Sequence, residues 1–443
     1  MLDIALAYFD AFPKIFRAHK TGTITISPRG LHAVFADGVP YTVTVIPMNE
    51  TNLNDMERPY PVYELLPRGG TLSFTHNFGD EGQYTLLVKP KDSELPPPPR
   101  RKRWPAYLEG QKFHLYALEE DLFRLRPYRG DMHVHSFRSD GKESPAVVAA
   151  SYRRAGFDFL AITDHEQYEP SLEAIDAFKD APIDLCLFPG EEVHPPQNNS
   201  HYVHFAGSYS INSIFRREPE RYQRELEEIA AGLDVPENIN RLEYASALWV
   251  CREIKKAGGM SIMVHPHWIQ ENAYHVTEKM CVYLLEHFFF DAFELTSGQT
   301  RAENQMQVSL WQQLRAEGHA IPVVGSSDSH STENPVTWFN VSKMAVLAED
   351  CGKESIINAV RDKRVVVMEQ YQGESLPRLY GEYRYTAFVL FLLETYFPLH
   401  DELCFEEGRL MKEYASGAAE SKALLKAMQG RCAALMRKCW DGI

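Results

Sequence analysis

The chain has 443 residues, of which 46 are Lys or Arg and 61 are Asp or Glu, giving a formal net charge of −15. Hydrophobic residues make up 44% and charged residues 24%, an ordinary globular composition with room for two or three domains at about 150 residues each. These values exclude a membrane-embedded protein and argue against a general binder of nucleic acid or of an anionic membrane, because a negative surface repels both.

Seven cysteines, Cys186, Cys251, Cys281, Cys351, Cys404, Cys432 and Cys439, lie far apart with no C-x-x-C pair. Their odd number and wide spacing suggest free thiols in a reducing compartment. The first residues are partly apolar but carry Asp3 and Asp10 with no basic stretch before them, a poor signal peptide. The apolar run from Thr386 to Tyr396 includes Glu394 and is too short to span a bilayer. The expectation is a cytoplasmic protein with no membrane partner.

In chain order, residues 21 to 90 read as short strands, such as Thr23 to Ile26, Tyr41 to Val45, Thr71 to Phe74 and Tyr84 to Val88. Asp37-Gly38, Arg68-Gly69-Gly70 and Gly79-Asp80 supply turns between them, a spacing that predicts a small all-β sandwich over 1–95. Pro96 to Pro99, followed by Arg100-Arg101-Lys102-Arg103, predicts a stiff linker over 96–127. From Tyr128 onward, β-branched runs alternate with helical stretches, the pattern of a βα domain over 128–382. The remainder, 383–443, reads as a helical tail.

Polar residues cluster directly after those strand candidates, where parallel α/β folds build their active sites. They are His133, His135 and Asp140; His165; Glu192; His204; His265; and Asp328 and His330. His133 and His135 are two apart, so on an extended segment both rings face one way and can share a cation. Asp328 and His330 repeat the spacing. Imidazole with carboxylate suits Zn, Mn or Fe rather than an all-oxygen or thiolate site. Nine such residues exceed what one tetrahedral ion needs and fit two or three divalent ions sharing a carboxylate.

This ordered set resembles the PHP family, the polymerase and histidinol phosphatase metallohydrolases, over roughly Tyr128 to Met368. Pro189 to His194 followed by His204-Phe205-Ala206-Gly207 is similar to the carbaryl-hydrolase-like branch. The resemblance implies a distorted (β/α)7 barrel with a trinuclear site. It would place one metal on His133, His135, Glu192 and Asp328, a second on Glu192, His204 and His265, and a third on Asp140, His165 and His330. Of the adjacent Glu191 and Glu192, the family pattern selects Glu192; of His265 and His267, the His-Pro pair selects His265. His194 and His201 receive no role, and Asp164 is expected to orient ligating imidazoles.

The expected chemistry is hydrolysis of a small phosphate ester by a metal-activated hydroxide, with Glu192, Asp328 and His265 as the catalytic set. A carboxyl-ester or carbamate hydrolase using the same nucleophile is the alternative, and a metal-stabilised binding protein a third reading. Arg138, Lys142 and Arg301 read as surface charges. The partner is a small-molecule ester, not nucleic acid, and a homo-oligomer is compatible with the sequence.

Overall fold

The computed structural model describes residues 8–30, 34–50, 60–91, 110–333 and 338–442. The chain divides into two units, one of residues 1–125, 390–399 and 431–443, the other of 126–389 and 400–430. Within the described residues, both are built around sheets.

Among the described residues, the first unit has eight strands: β1 (Phe9–Phe12), β2 (Ile15–Arg17), β3 (Thr21–Pro28), β4 (Tyr41–Pro47), β5 (Val62–Leu65), β6 (Leu72–Asn77), β7 (Gly82–Pro90) and β8 (Gln111–Leu118). They form a three-stranded sheet, β1-β3-β6, and a five-stranded sheet, β2-β8-β7-β4-β5. Period-two burial explains both: Leu72, Phe74 and His76 of β6 point inward between exposed neighbours, as do Tyr84, Leu86 and Val88 of β7 between half-buried ones. One buried cluster draws Ile24, Ile26, Leu72 and Phe74 from the first sheet and Val43, Val45, Leu86 and Leu115 from the second.

Two expected boundaries change. The stretch expected as a linker over 96–127 contains β8, which pairs along its length with β7. Its Phe113, Leu115 and Ala117 supply core, and only the basic spacing after the prolines hides this in the sequence; the proline tract itself lies outside the described residues. The tail expected as one helical segment over 383–443 is shared by both units. Tyr396 meets Trp440 edge-on at 5.5 Å, and Lys14 N donates to Cys439 O at 2.7 Å, so these turns complete the first unit.

The second unit is mixed α/β. Its strands are β9 (Arg126–Asp131), β10 (Phe159–Ala161), β11 (Cys186–Phe188), β12 (Gly190–Val193), β13 (Tyr202–Phe205), β14 (Met260–Met263), β15 (Ile269–Gln270), β16 (Ala273–Tyr274), β17 (Ala292–Thr296), β18 (Val323–Gly325), β19 (Ser342–Ala348), β20 (Val365–Glu369) and β21 (Arg378–Tyr380). One sheet runs β11-β10-β9-β19-β20-β21, another β12-β13-β14-β17-β18, and β15 and β16 form a separate hairpin. Parallel pairing holds for β9-β10-β11 and β14-β17-β18. β12 and β13 are antiparallel, because a connection of only eight residues is too short for a parallel crossover. Isolated bridges His165↔Glu192 and Val134↔Ser329 link the two larger sheets at their ends.

Helices start where local chemistry favours them. Ser144 accepts from Val147 N and Pro145 occupies the first turn of helix Pro145–Arg154. Thr300 and Glu303 close a capping box on helix Arg301–Ala316. Among the described residues, no helix is long and apolar enough to cross a membrane.

Candidate metal centre

The strand ends converge on Glu192. Its side chain is fully buried, and its two oxygens face different imidazoles. Oε1 lies 2.8 Å from His201 Nδ1 and 3.1 Å from His265 Nε2. Oε2 lies 2.5 Å from His165 Nδ1, 3.3 Å from His194 Nε2, 3.5 Å from His133 Nε2 and 3.7 Å from His135 Nε2. Asp328 Oδ1 stands 3.4 Å from His133 Nε2 and 2.9 Å from His135 Nε2.

Local backbone geometry delivers these groups. His133 and His135 follow β9 two residues apart, as their spacing predicts. His265 and Asp328 both have left-handed backbones, φ 31° and 47°, uncommon for residues with a Cβ and frequent at sites under functional constraint. Gly298 permits this turn at Asp328: a Cβ there would stand 2.2 Å from Ser327 O. Asp164 locks the loop after His135 by accepting from Ser136 N, Ser136 Oγ, Ser139 N and Ser139 Oγ at 2.6–3.0 Å.

A second, more open group lies beside the first. Asp140 Oδ1 is 3.4 Å from His165 Nε2 and 3.2 Å from His330 Nε2. The His135 ring stacks between those of His165 and His330, with centroids at 4.2 and 4.3 Å.

Buried polar atoms are almost always hydrogen-bonded. Among the described residues, His133 Nε2, His135 Nε2, Glu192 Oε2 and Asp328 Oδ1 are all buried without a hydrogen-bond partner, although they face one another. Lone-pair atoms at such separations without donor geometry are what a shared cation satisfies. Several groups of three or four ligand atoms lie within 4.8 Å of one another, including His133-His265-Asp328, His133-His135-Glu192 and His135-Asp140-His165-His330. The donor set, imidazole with carboxylate, fits divalent transition metals.

The carboxylates and imidazoles shift one another: neighbouring carboxylates raise His133, His165, His265 and His330 despite their burial. Burial would raise Glu192 and Asp328, but the surrounding imidazoles outweigh it and hold both carboxyls well below their usual range. Burial pulls His135 down to about 3, with its neighbours His165 and His330 adding to the effect, so its ring is neutral.

His204 departs from the expected set. In the antiparallel register Glu192 opposes Val203, while His204 opposes Glu191, so His204 points to the other face of the sheet. There its Nδ1 lies 3.4 Å from Glu191 Oε1, and Glu191 also accepts from Ser210 Oγ, Ile211 N and Asn212 Nδ2. Strand periodicity instead brings His201 to Glu192. His194 joins it, its ring stacked on His201 at 3.7 Å. His267 faces Tyr274 edge-on at 5.2 Å.

Two further residues escaped the motif reading. Glu294 Oε1, in β17, is 2.9 Å from His133 Nδ1, and its Oε2 accepts from His265 N at 3.3 Å. Asp131 accepts from His133 N and Ser327 N, and burial raises its carboxyl to about 7. A lone charge inside an apolar strand was the available signal for Glu294.

No protein-family model matches the chain. By sequence, 59 residues are 39% identical to the DNA polymerase/3'-5' exonuclease PolX of Bacillus subtilis, a match covering 13% of this chain and 10% of that protein. By structure, the chain is similar to a two-domain protein of Bacteroides vulgatus described as containing a predicted PHP-like metal-dependent phosphoesterase, at 17% identity and a TM-score of 0.40, over 56% of this chain and 66% of that one. It is also similar to an amidohydrolase of Chromobacterium violaceum at 18% identity and a TM-score of 0.31, over 53% of this chain and 96% of that one.

Proposed function

We propose that the chain is a PHP-type metal-dependent phosphoesterase acting on a small phosphate ester. Glu192 carries the reading: a buried carboxylate with imidazoles on both oxygens is suited to bridge cations. His133, His135, Glu192 and Asp328 would hold one ion, Glu192, His265 and His201 a second, and Asp140, His165 and His330 a third. When bound, such ions supply Lewis acidity and offset the charge that builds on a phosphoryl group. The two bridges between sheet ends support a closed, distorted seven-stranded barrel formed by β9, β10, β12, β13, β14, β17 and β18 around the centre.

The chain's own residues set the geometry. Glu294 fixes which nitrogen of His133 faces the centre, and Gln299 Nε2 approaches the second oxygen of Asp328 at 3.4 Å. That leaves Asp328 Oδ1 turned to His133 Nε2 and His135 Nε2, where it would hold the ion with them. In the reaction a P–O bond forms to the water oxygen, the P–O bond to the leaving oxygen breaks, and the leaving oxygen ends protonated as an alcohol.

The test compares initial rates on a phosphomonoester, a phosphodiester and an aryl carboxyl ester, after loading with Mn²⁺ or Zn²⁺ and with Asp328→Asn as the blank. Phosphate release that the substitution abolishes supports the reading. Turnover of the carboxyl ester alone replaces it with carbonyl hydrolysis.

A further inference from the structure

The chain leaving His265 makes a tight excursion before returning to the fold. His275 N donates to Trp268 O at 2.7 Å and Val276 N to Pro266 O at 3.1 Å, closing the base of the β15–β16 hairpin. Ile269 pairs with Tyr274 and Gln270 with Ala273. Glu271 and Asn272 remain as a two-residue turn, both with positive φ, 47° and 69°. Such turns favour Asn, Asp or Gly at both places. Glu271 therefore sits where local backbone chemistry disfavours it. The hairpin is also anchored from the side, since Ile269 N donates to Glu303 Oε1 at 2.8 Å and Glu303 is buried.

An open pocket of about 630 Å³ is lined by Asn199, Gln270, Glu271, Ala273, Tyr274 and His275. It adjoins the centre: His275 Nε2 is 3.1 Å from His201 Nε2, and His201 Nδ1 is 2.8 Å from Glu192 Oε1. Among the described residues, no lysine or arginine lines it and the Glu271 carboxylate has no hydrogen bond or ion pair. Two amides and a carboxylate can grip neighbouring hydroxyls, and the half-open Tyr274 ring offers a face to the C–H side of a pyranose or furanose. A second phosphate would meet Glu271 with no cation to offset the repulsion.

We propose that this pocket is the leaving-group subsite of the metal centre and takes an uncharged, polyhydroxylated leaving group, a sugar or polyol, with Glu271 rejecting substrates that carry a second anionic group. The proposal rests on the phosphoesterase reading above. Its test uses the Mn²⁺-loaded full chain with p-nitrophenyl phosphate, glucose-6-phosphate and fructose-1,6-bisphosphate, on the parent protein, Glu271→Lys and Glu271→Gln. Either substitution leaves the backbone requirement of the turn no worse. The parent protein is expected to prefer the monophosphate by about tenfold in kcat/KM, through KM. Glu271→Lys is expected to narrow that preference at least about fivefold by lowering KM for the bisphosphate, with Glu271→Gln between the two. Turnover of p-nitrophenyl phosphate by the parent protein reads the phosphoesterase activity itself. Turnover of p-nitrophenyl phosphate with no monophosphate preference, or a preference that Glu271→Lys leaves intact, overturns the subsite while sparing the phosphoesterase. Absence of turnover on all three substrates overturns both.

Discussion

Glu294 Oε1 lies 2.9 Å from His133 Nδ1, so that only Nε2 of His133 is turned toward Glu192 and Asp328. Both side chains are fully buried, and Glu294 is held from its other oxygen by His265 N. A carboxylate behind a ligating imidazole fixes its ring and raises its basicity. Glu294→Gln is expected to weaken metal binding by about 10–100-fold, read by competition against a chromophoric chelator. Unchanged affinity would remove Glu294 from the centre.

His201 and His204 offer a sharper contrast. His201→Ala should lower bound metal while leaving the fold intact, since that side chain is near the rim. His204→Ala should leave metal content unchanged and cost about 2–3 kcal/mol of stability, because it opens a cavity against Gly207 and Gly259 and strips one partner from buried Glu191. Metal analysis and urea unfolding of the two variants separate the roles.

Asp158 anchors a charge cluster away from the centre. Its Oδ1 lies 3.1 Å from Arg153 Nη1 and 2.8 Å from His400 Nε2, and its Oδ2 accepts from Arg129 N at 2.9 Å. Burial would raise its carboxyl, but His400, Arg153 and Arg129 together hold it well below the usual range. A depressed pKa contributes stability above the unfolded value, near pH 4, and that contribution fades as pH falls toward the folded value. Asp158→Asn should therefore cost about 3–5 kcal/mol at neutral pH, with the gap to the parent shrinking below about pH 4. Urea titrations across that range check the sign.

Chelation should destabilise the second unit for a related reason. Among the described residues, His133 Nε2, His135 Nε2, Glu192 Oε2 and Asp328 Oδ1 are buried without hydrogen-bond partners, and the proposed cations would satisfy them. Free metal at about a hundred times its Kd adds about 2.7 kcal/mol to the folded state, which calorimetry with and without a chelator should record as a higher Tm.

Much of the candidate site's geometry is legible in the sequence because its motifs sit at strand ends, where spacing alone sets direction. His133 and His135 share a face by period two, and Asp328 and His330 lie at the end of a strand that had to be buried. The face of His204 depends on the β12–β13 register, which the intervening turn sets and no residue in the motif announces. Strand β8 was hidden for a different reason: Gln111 to Leu118 follows a proline and arginine tract, and its inward Phe113, Leu115 and Ala117 have no turn signal of their own. Glu294 and His275 work through contacts between distant segments, which no local pattern encodes.

The most direct test of the account is the metal-to-protein ratio of the loaded and desalted chain, compared between the parent and Glu192→Gln. A centre bridged by Glu192 predicts at least about two ions per chain in the parent and a loss of one or more in the variant. A ratio below one in the parent, or one that Glu192→Gln leaves unchanged, would contradict it.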